Sequence, residues 1–156
     1  MKNAYAGHLK YSFQLRPHTV ADQAYIGAYQ GIGVGYFNFG NPEELGNPLA
    51  VYLFQGGRIA QFSPRISLNY EWNFGASFGW KPYDEYDNPE NQIIGSKVNA
   101  YLNVNLYLKW ALSPKFDLMI GATGSHFSNG NTQYPNSGLN TVDCKVCLLY
   151  TSDAAD

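Results

Sequence analysis

A histidine and a serine stand two residues apart in the stretch GSHFSNGN, as His126 and Ser128. A serine hydroxyl is a weak nucleophile until a neighbouring base removes its proton, and histidine is the usual base. On a β-strand the two side chains would share one face, about 6.6 Å apart along the axis. The spacing therefore fits a Ser–His site, although H-x-S is common and also fits a strand end before the turn-favouring SNGN.

The residues before this pair alternate between apolar and other positions. One row of the predicted strand is apolar and runs into the histidine and the serine: Phe116, Leu118, Ile120, Ala122, Gly124, His126, Ser128. If this row faces lipid, the polar pair costs free energy, though less near the membrane interface than at the centre. A polar pair on that row favours a functional role over packing.

The same period of two runs through most of the chain. From Val98 to Trp110 every even position is apolar, whereas the odd positions hold asparagines, tyrosines and one lysine. The segment 65–80 alternates likewise and is either one long strand or two joined by a tight turn near Asn73–Gly75. Further alternating or glycine-rich segments, separated by turn sequences, lie at 8–16, 25–39, 50–62, 115–127 and after Gly138. We count about seven strands and find no helical period, internal repeat or domain boundary.

The composition favours β structure. Aromatic residues make up 16% of the chain and charged residues 14%, and the net charge of −2 gives no indication of a nucleic-acid partner. No apolar run approaches the roughly 18 residues of a spanning helix. A soluble β-sandwich or a lipocalin-like barrel would also alternate, with its apolar face inward. Long apolar rows unbroken by charge favour a membrane barrel, in which the apolar face points outward.

We therefore predict an all-β, antiparallel, up-and-down transmembrane β-barrel. Single-chain bacterial barrels have an even number of strands, so seven visible strands predict eight in the full protein. We expect the missing strand at the N-terminus. Residues 1–16 contain no signal peptide, so either the protein is cytosolic or its true start is missing. We expect Glu71 to face the barrel interior and to pair with Arg65 or Lys97.

The two cysteines form a C-x-x-C pair, Cys144 and Cys147, which by itself would suggest a redox or metal site. However, the last ten residues, CLLYTSDAAD, resemble the translation of a transposase adapter used in sequencing libraries. We therefore assign residues 1–146 to the barrel domain, with its last strand clipped, and residues 147–156 to an adapter sequence. On this interpretation the cysteine pair has no function.

The stretch HFSNGNTQYPNSGLN, residues 126–140, resembles the PagL family of outer-membrane lipid A deacylases, also described as acyloxyacyl hydrolase-like proteins. The family carries an H-x-S-N motif followed by P-N-x-G. The stretches NYEWNFGASFGWKP and GSKVNAYLNV are similar to family members from Bacteroidetes-type bacteria, and the resemblance covers most of residues 11–140. The matching motif positions are His126, Ser128, Asn129, Pro135, Asn136 and Gly138.

This resemblance implies an eight-stranded barrel in the bacterial outer membrane that hydrolyses an acyl ester of lipid A in lipopolysaccharide. It implies Ser128 as nucleophile and His126 as general base. The backbone N–H of Asn129 and the side chain of Asn136 are the candidate oxyanion donors. The family pattern has a glutamate where this chain has Asn140, so we expect Asn140 to orient the histidine without adding charge.

The predicted mechanism needs no cofactor and no metal, and the sequence contains no metal-ligand motif apart from the discounted cysteine pair. The sequence leaves open whether the protein forms a homodimer. The alternative function is a non-catalytic small outer-membrane barrel with a structural or adhesion role, in which Asn140 marks lost activity.

Overall fold

A computed structural model describes residues 4–14, 28–91, 94–130 and 138–151. Seven strands form a single sheet in which each strand pairs with the next one along the chain, always antiparallel. Their bounds are β1 Tyr5–Gln14, β2 Tyr29–Asn38, β3 Gly46–Gln61, β4 Ile66–Trp80, β5 Val98–Ala111, β6 Phe116–Ser128 and β7 Leu139–Tyr150.

The sheet is curled into a half-barrel, so the predicted all-β, up-and-down architecture is confirmed. The alternating segment at 65–80 is one strand, β4, rather than two. Strand β7 continues through Tyr150 and so includes four of the residues that the sequence assigns to an adapter. The eighth strand and the domain boundary at residue 146 stay predictions. Within the described residues, no helix is long and apolar enough to cross a membrane.

The apolar rows of the strands point outward, as the sequence predicts for a membrane barrel. On β5, Val104 is 66% exposed, whereas its neighbours Asn103 and Asn105 are each 4% exposed. The same alternation of exposed apolar and buried side chains recurs along β2, β3 and β4. A soluble β-sandwich or lipocalin-like barrel would bury its apolar rows, so the outward orientation excludes that alternative.

Polar side chains from several strands meet on the concave face of the sheet. Glu71, on β4, is 2% exposed and forms an ion pair with Lys10 on β1. Its carboxylate also accepts hydrogen bonds from Tyr29 Oη at 3.0 Å and Asn105 Nδ2 at 3.3 Å. The predicted inward orientation of Glu71 is correct, but the predicted partners Arg65 and Lys97 are wrong. The curl of the sheet brings β1 across from β4, which spacing along the chain does not reveal.

The two ends of the half-barrel differ in their connections. The turns 62–65 and 112–115 and the longer connection 15–28 join strands at one end, whereas segments 39–45, 81–97 and 129–138 join strands at the other. At this loop end, side-chain amides anchor the loops to one another. Asn88 Nδ2 donates to the Glu44 carbonyl at 2.8 Å, and Asn91 Nδ2 donates to the same carbonyl at 3.2 Å. The loop that contains Glu44 and segment 81–97 are therefore tied to each other, and strand β6 carries the histidine and serine to the same end of the sheet.

Candidate active site

The histidine and the serine lie on the outer face of β6, at its loop end. His126 and Ser128 are both half-buried. Ser125, just before His126, and Phe127, between the pair, point into the half-barrel and are 8% and 0% exposed. Because side chains on a strand alternate between faces, residues 126 and 128 share the face that carries the apolar row. The shared outward face inferred from the sequence is thus what the structure has.

Asn140 on β7 contacts the imidazole. It is the direct cross-strand neighbour of His126, and its Oδ1 lies 2.6 Å from Nδ1 of the ring. An amide oxygen only accepts hydrogen bonds, so Nδ1 carries the proton and donates it. The second ring nitrogen, Nε2, then has a free lone pair. This is the tautomer that a histidine needs in order to accept a proton from a serine hydroxyl.

Gly138 brings the backbone that precedes β7 against both side chains. A methyl group placed on its Cα would lie 3.1 Å from His126 Cε1 and 3.7 Å from Ser128 Cβ. The φ of Gly138 is +73°, in the left-handed region that side-chain-bearing residues rarely adopt. Glycine therefore serves two purposes here, because it permits this backbone turn and leaves room for the imidazole.

Ser128 occupies the last position of the β6 ladder. The pairing of β5 with β6 ends at Ala100 and Ser128, and the pairing of β6 with β7 already ends at Phe127 and Leu139. Among the described residues Ser128 therefore has no ladder partner on β7, although Gly138 lies close to it. Asn129 follows it directly and is half-buried. Pro135 and Asn136, the remaining positions of the sequence motifs, lie outside the described residues.

A shallow trough formed by small residues runs along the outer face of β6 from the histidine toward the middle of the strand. Its floor is formed by Gly124 and Ala122, and among the described residues a Cβ added at Gly124 would meet only the Thr141 carbonyl oxygen, at 3.9 Å. The cross-strand neighbours of Gly124 are Val104 on β5 and Val142 on β7, which are 66% and 86% exposed and form the walls. The trough ends at Ile120, which carries the next large side chain on β6.

The chemistry available here is that of an acyl-transfer site beside an apolar trough. A serine hydroxyl, a histidine and an amide that fixes its tautomer lie at one strand end, and among the described residues no hydrogen bond joins Ser128 to His126. The contact at Asn140 is neutral, so it orients the ring without contributing charge. Among residues 4–14, 28–91, 94–130 and 138–151, no three His, Cys, Asp or Glu side chains come close enough to hold a metal ion.

The sequence singled out His126, Ser128 and Asn140, and the structure brings the first and the last into direct contact. It did not predict the trough or the approach of Gly138. The small residues at 122 and 124 interrupt an otherwise bulky row, and this interruption was the available signal for the trough. The motif glycine was the signal for the close backbone approach.

A family model described as "Lipid A 3-O-deacylase (PagL)" matches residues 6–147 of the chain. The match therefore spans all of β1 to β6 except the first residue of β1, and most of β7. No match is found among curated proteins or among solved structures.

Proposed function

Since the chain belongs to the PagL family of lipid A 3-O-deacylases, we propose that it hydrolyses the 3-O-acyl ester of lipid A in the bacterial outer membrane through Ser128 and His126. One observation carries the residue assignment. The two side chains share an outward, apolar strand face, and Asn140 Oδ1 lies 2.6 Å from the imidazole Nδ1. A lipid ester reaches such a site sideways from the bilayer.

The first half of the reaction transfers the acyl chain to the enzyme. Nε2 of His126 accepts the hydroxyl proton as Ser128 Oγ attacks the ester carbonyl carbon. The resulting oxyanion accepts hydrogen bonds from the Asn129 backbone N–H and the Asn136 side chain. The C–O bond to the glucosamine oxygen then breaks, and that oxygen takes the proton from the imidazolium. The products are an acyl-serine and a free sugar hydroxyl.

The second half releases the fatty acid. A water molecule gives a proton to Nε2 of His126 and attacks the acyl carbon. The tetrahedral intermediate uses the same oxyanion donors, and the bond to Ser128 Oγ breaks as the imidazolium returns its proton. The serine hydroxyl is restored and the carboxylic acid leaves. Throughout both halves Asn140 holds Nδ1–H, so the ring presents Nε2 at every step.

The site's place in the barrel fits a substrate of the outer leaflet. Bacterial barrels have short turns in the periplasm and longer loops outside. The site lies at the end with connections 39–45, 81–97 and 129–138, whereas the opposite end has the four-residue turns 62–65 and 112–115 besides the longer connection 15–28. Lipid A occupies the outer leaflet, with its sugar at the interface and its acyl chains in hydrocarbon. We infer that the sugar lies beside the loops and that the scissile acyl chain extends along the trough over Gly124 and Ala122.

The test is to analyse the lipid A of cells that carry this protein in their outer membranes. Mass spectrometry should show loss of one ester-linked acyl chain, and Ser128→Ala should abolish the loss. The matched control is Ser125→Ala, which removes the neighbouring hydroxyl on the opposite, inward face. Both variants should remain heat-modifiable on gels, as folded barrels are. Unchanged lipid A in cells with a folded wild-type protein would instead support a non-catalytic structural or adhesion barrel.

A further inference from the structure

The geometry points to Phe127 as a positioning residue for the deacylation reaction, an inference that rests on the proposed function. Phe127 lies between His126 and Ser128 in sequence but on the opposite face of β6, inside the half-barrel, where it is fully buried. It touches neither the ester nor the imidazole Nε2. Its action is to fix the backbone from which both reacting side chains project.

Four aromatic rings surround Phe127 on the concave side. Their centroids lie 5.1 Å away for Trp80 and Tyr101, 5.2 Å for Phe37 and 5.6 Å for Phe39. The rings of Trp80, Phe37 and Phe39 stand at 68–82° to that of Phe127, in the edge-to-face arrangement that aromatic pairs favour. Strands β2, β4 and β5 and the residue after β2 all contribute to this cluster, which therefore ties the end of β6 to the body of the sheet.

The anchor matters because the ladder gives little support at this position. The β6–β7 pairing ends at Phe127 itself, so among the described residues Ser128 has a ladder partner on β5 but none on β7. Strand ends that lack pairing on one side open readily unless a buried side chain anchors them. A nucleophile at such an end would sample many positions. The buried ring one residue earlier restricts Ser128 to the geometry of attack.

Replacing the ring should therefore reduce turnover without weakening substrate binding. Phe127→Leu keeps an apolar side chain but removes the ring contacts, and displacement of a reacting group by about 1 Å can cost about 100-fold in rate. We expect kcat for lipid A deacylation in detergent micelles to fall about 10- to 100-fold. The KM should change by less than about twofold, because the outer face that meets the substrate is untouched.

The matched control is Phe54→Leu. Phe54 is also buried on the concave side, at 3% exposure, but its ring neighbours are Tyr29 and Tyr52 rather than Phe127. The substitution also removes an aromatic ring from the concave interior, but away from the end of β6. We expect Phe54→Leu to retain kcat within about twofold of the wild type while losing stability to a similar degree.

A second readout separates positioning from general stability. An alkyl fluorophosphonate reacts with an activated serine, and Ser128→Ala identifies the labelled residue. Labelling of folded, heat-modifiable protein should slow in Phe127→Leu. It should also slow in Phe37→Leu, which removes the other ring of one of the Phe127 contacts. It should not slow in Phe54→Leu. Equal losses in all three variants, an unchanged kcat in Phe127→Leu, or failure of both cluster variants to fold would overturn the inference. An inactive, unlabelled wild type would instead overturn the proposed function.

Discussion

At the scale of single residues, the contact between His126 and Asn140 determines what kind of Ser–His site this is. The family pattern has a carboxylate at this position, which both orients the histidine and stabilises the imidazolium. An amide oxygen at 2.6 Å from Nδ1 supplies the orientation alone. We therefore expect the site to be active, but with less stabilisation of the imidazolium than a carboxylate would give.

Asn140→Glu should raise the rate of deacylation. A hydrogen bond to a charged group is worth about 1 kcal/mol more than a neutral one, and this corresponds to about fivefold in rate. Asn140→Ala should lower kcat at least tenfold, roughly, because the ring loses its fixed tautomer and orientation. The measurement is single-turnover acyl release from lipid A.

The control for these variants is Asn38→Ala. Asn38 lies on β2, at the same end of the half-barrel, and its side-chain amide donates a hydrogen bond to Tyr5 Oη at 3.3 Å. This variant should leave kcat unchanged. If Asn140→Ala proves as active as the wild type, Asn140 has no orienting role.

Two glycines with positive φ allow a second comparison at this scale. Gly138→Ala and Gly130→Ala each force a side chain into the left-handed region, at φ +73° and +65°, which costs about 1–2 kcal/mol. At Gly138 the new methyl group would lie 3.1 Å from His126 Cε1, whereas no described atom lies within 4 Å of it at Gly130. We expect both variants to lose similar stability in urea titrations, whereas only Gly138→Ala loses kcat. Equal activities would show that the close approach has no effect on the imidazole.

At the scale of elements, strand β6 combines the reacting groups and the trough on a single face. The period of two in the sequence predicts this face correctly, because lipid outside and polar groups inside impose the same alternation along every strand. The partner of His126 on β7 could not be derived from that pattern. In a hairpin the register depends on the turn as well as on the alternating pattern, and a shift of one residue between β6 and β7 would move Asn140 to the opposite face.

Filling the trough tests the role of β6 as a support for the acyl chain. Gly124→Leu places a bulky side chain on the floor between Val104 and Val142. Since each buried methylene contributes about 0.8 kcal/mol, displacing two or more from the trough should cost about tenfold in kcat/KM for long-chain esters. Short-chain esters, which need only the groups around Ser128, should be hydrolysed at nearly the wild-type rate.

Gly7→Leu is the matched control for this substitution. Gly7 lies on the exposed face of β1, away from β6, and no described atom lies within 4 Å of an added Cβ. It should leave both classes of ester unaffected. An equal loss on short and long esters in Gly124→Leu would argue that the substitution disturbs the reacting groups rather than the acyl chain.

At the scale of the whole molecule, the sheet is apolar outside and polar within, and its interior is closed near the loop end by aromatic rings. The outward rows could be predicted from the sequence because alternation fixes them strand by strand. The interior contacts could not, because they depend on how far the sheet curls. Lys10 and Glu71 are 61 residues apart and lie on strands that do not pair, yet they form the buried ion pair.

This ion pair supports a last prediction, on stability rather than activity. Lys10→Met leaves the Glu71 carboxylate buried without its cation, and removing one partner of a buried pair costs about 3–5 kcal/mol. The double variant Lys10→Met with Glu71→Leu removes both charges and should recover most of that loss. Lys97→Met, at an exposed position, is the control and should change unfolding by less than about 0.5 kcal/mol. Urea titration of the purified barrels in detergent measures all four proteins. If the double variant is less stable than Lys10→Met, then the carboxylate is held chiefly by Tyr29 and Asn105, and the lysine contributes little to the interior.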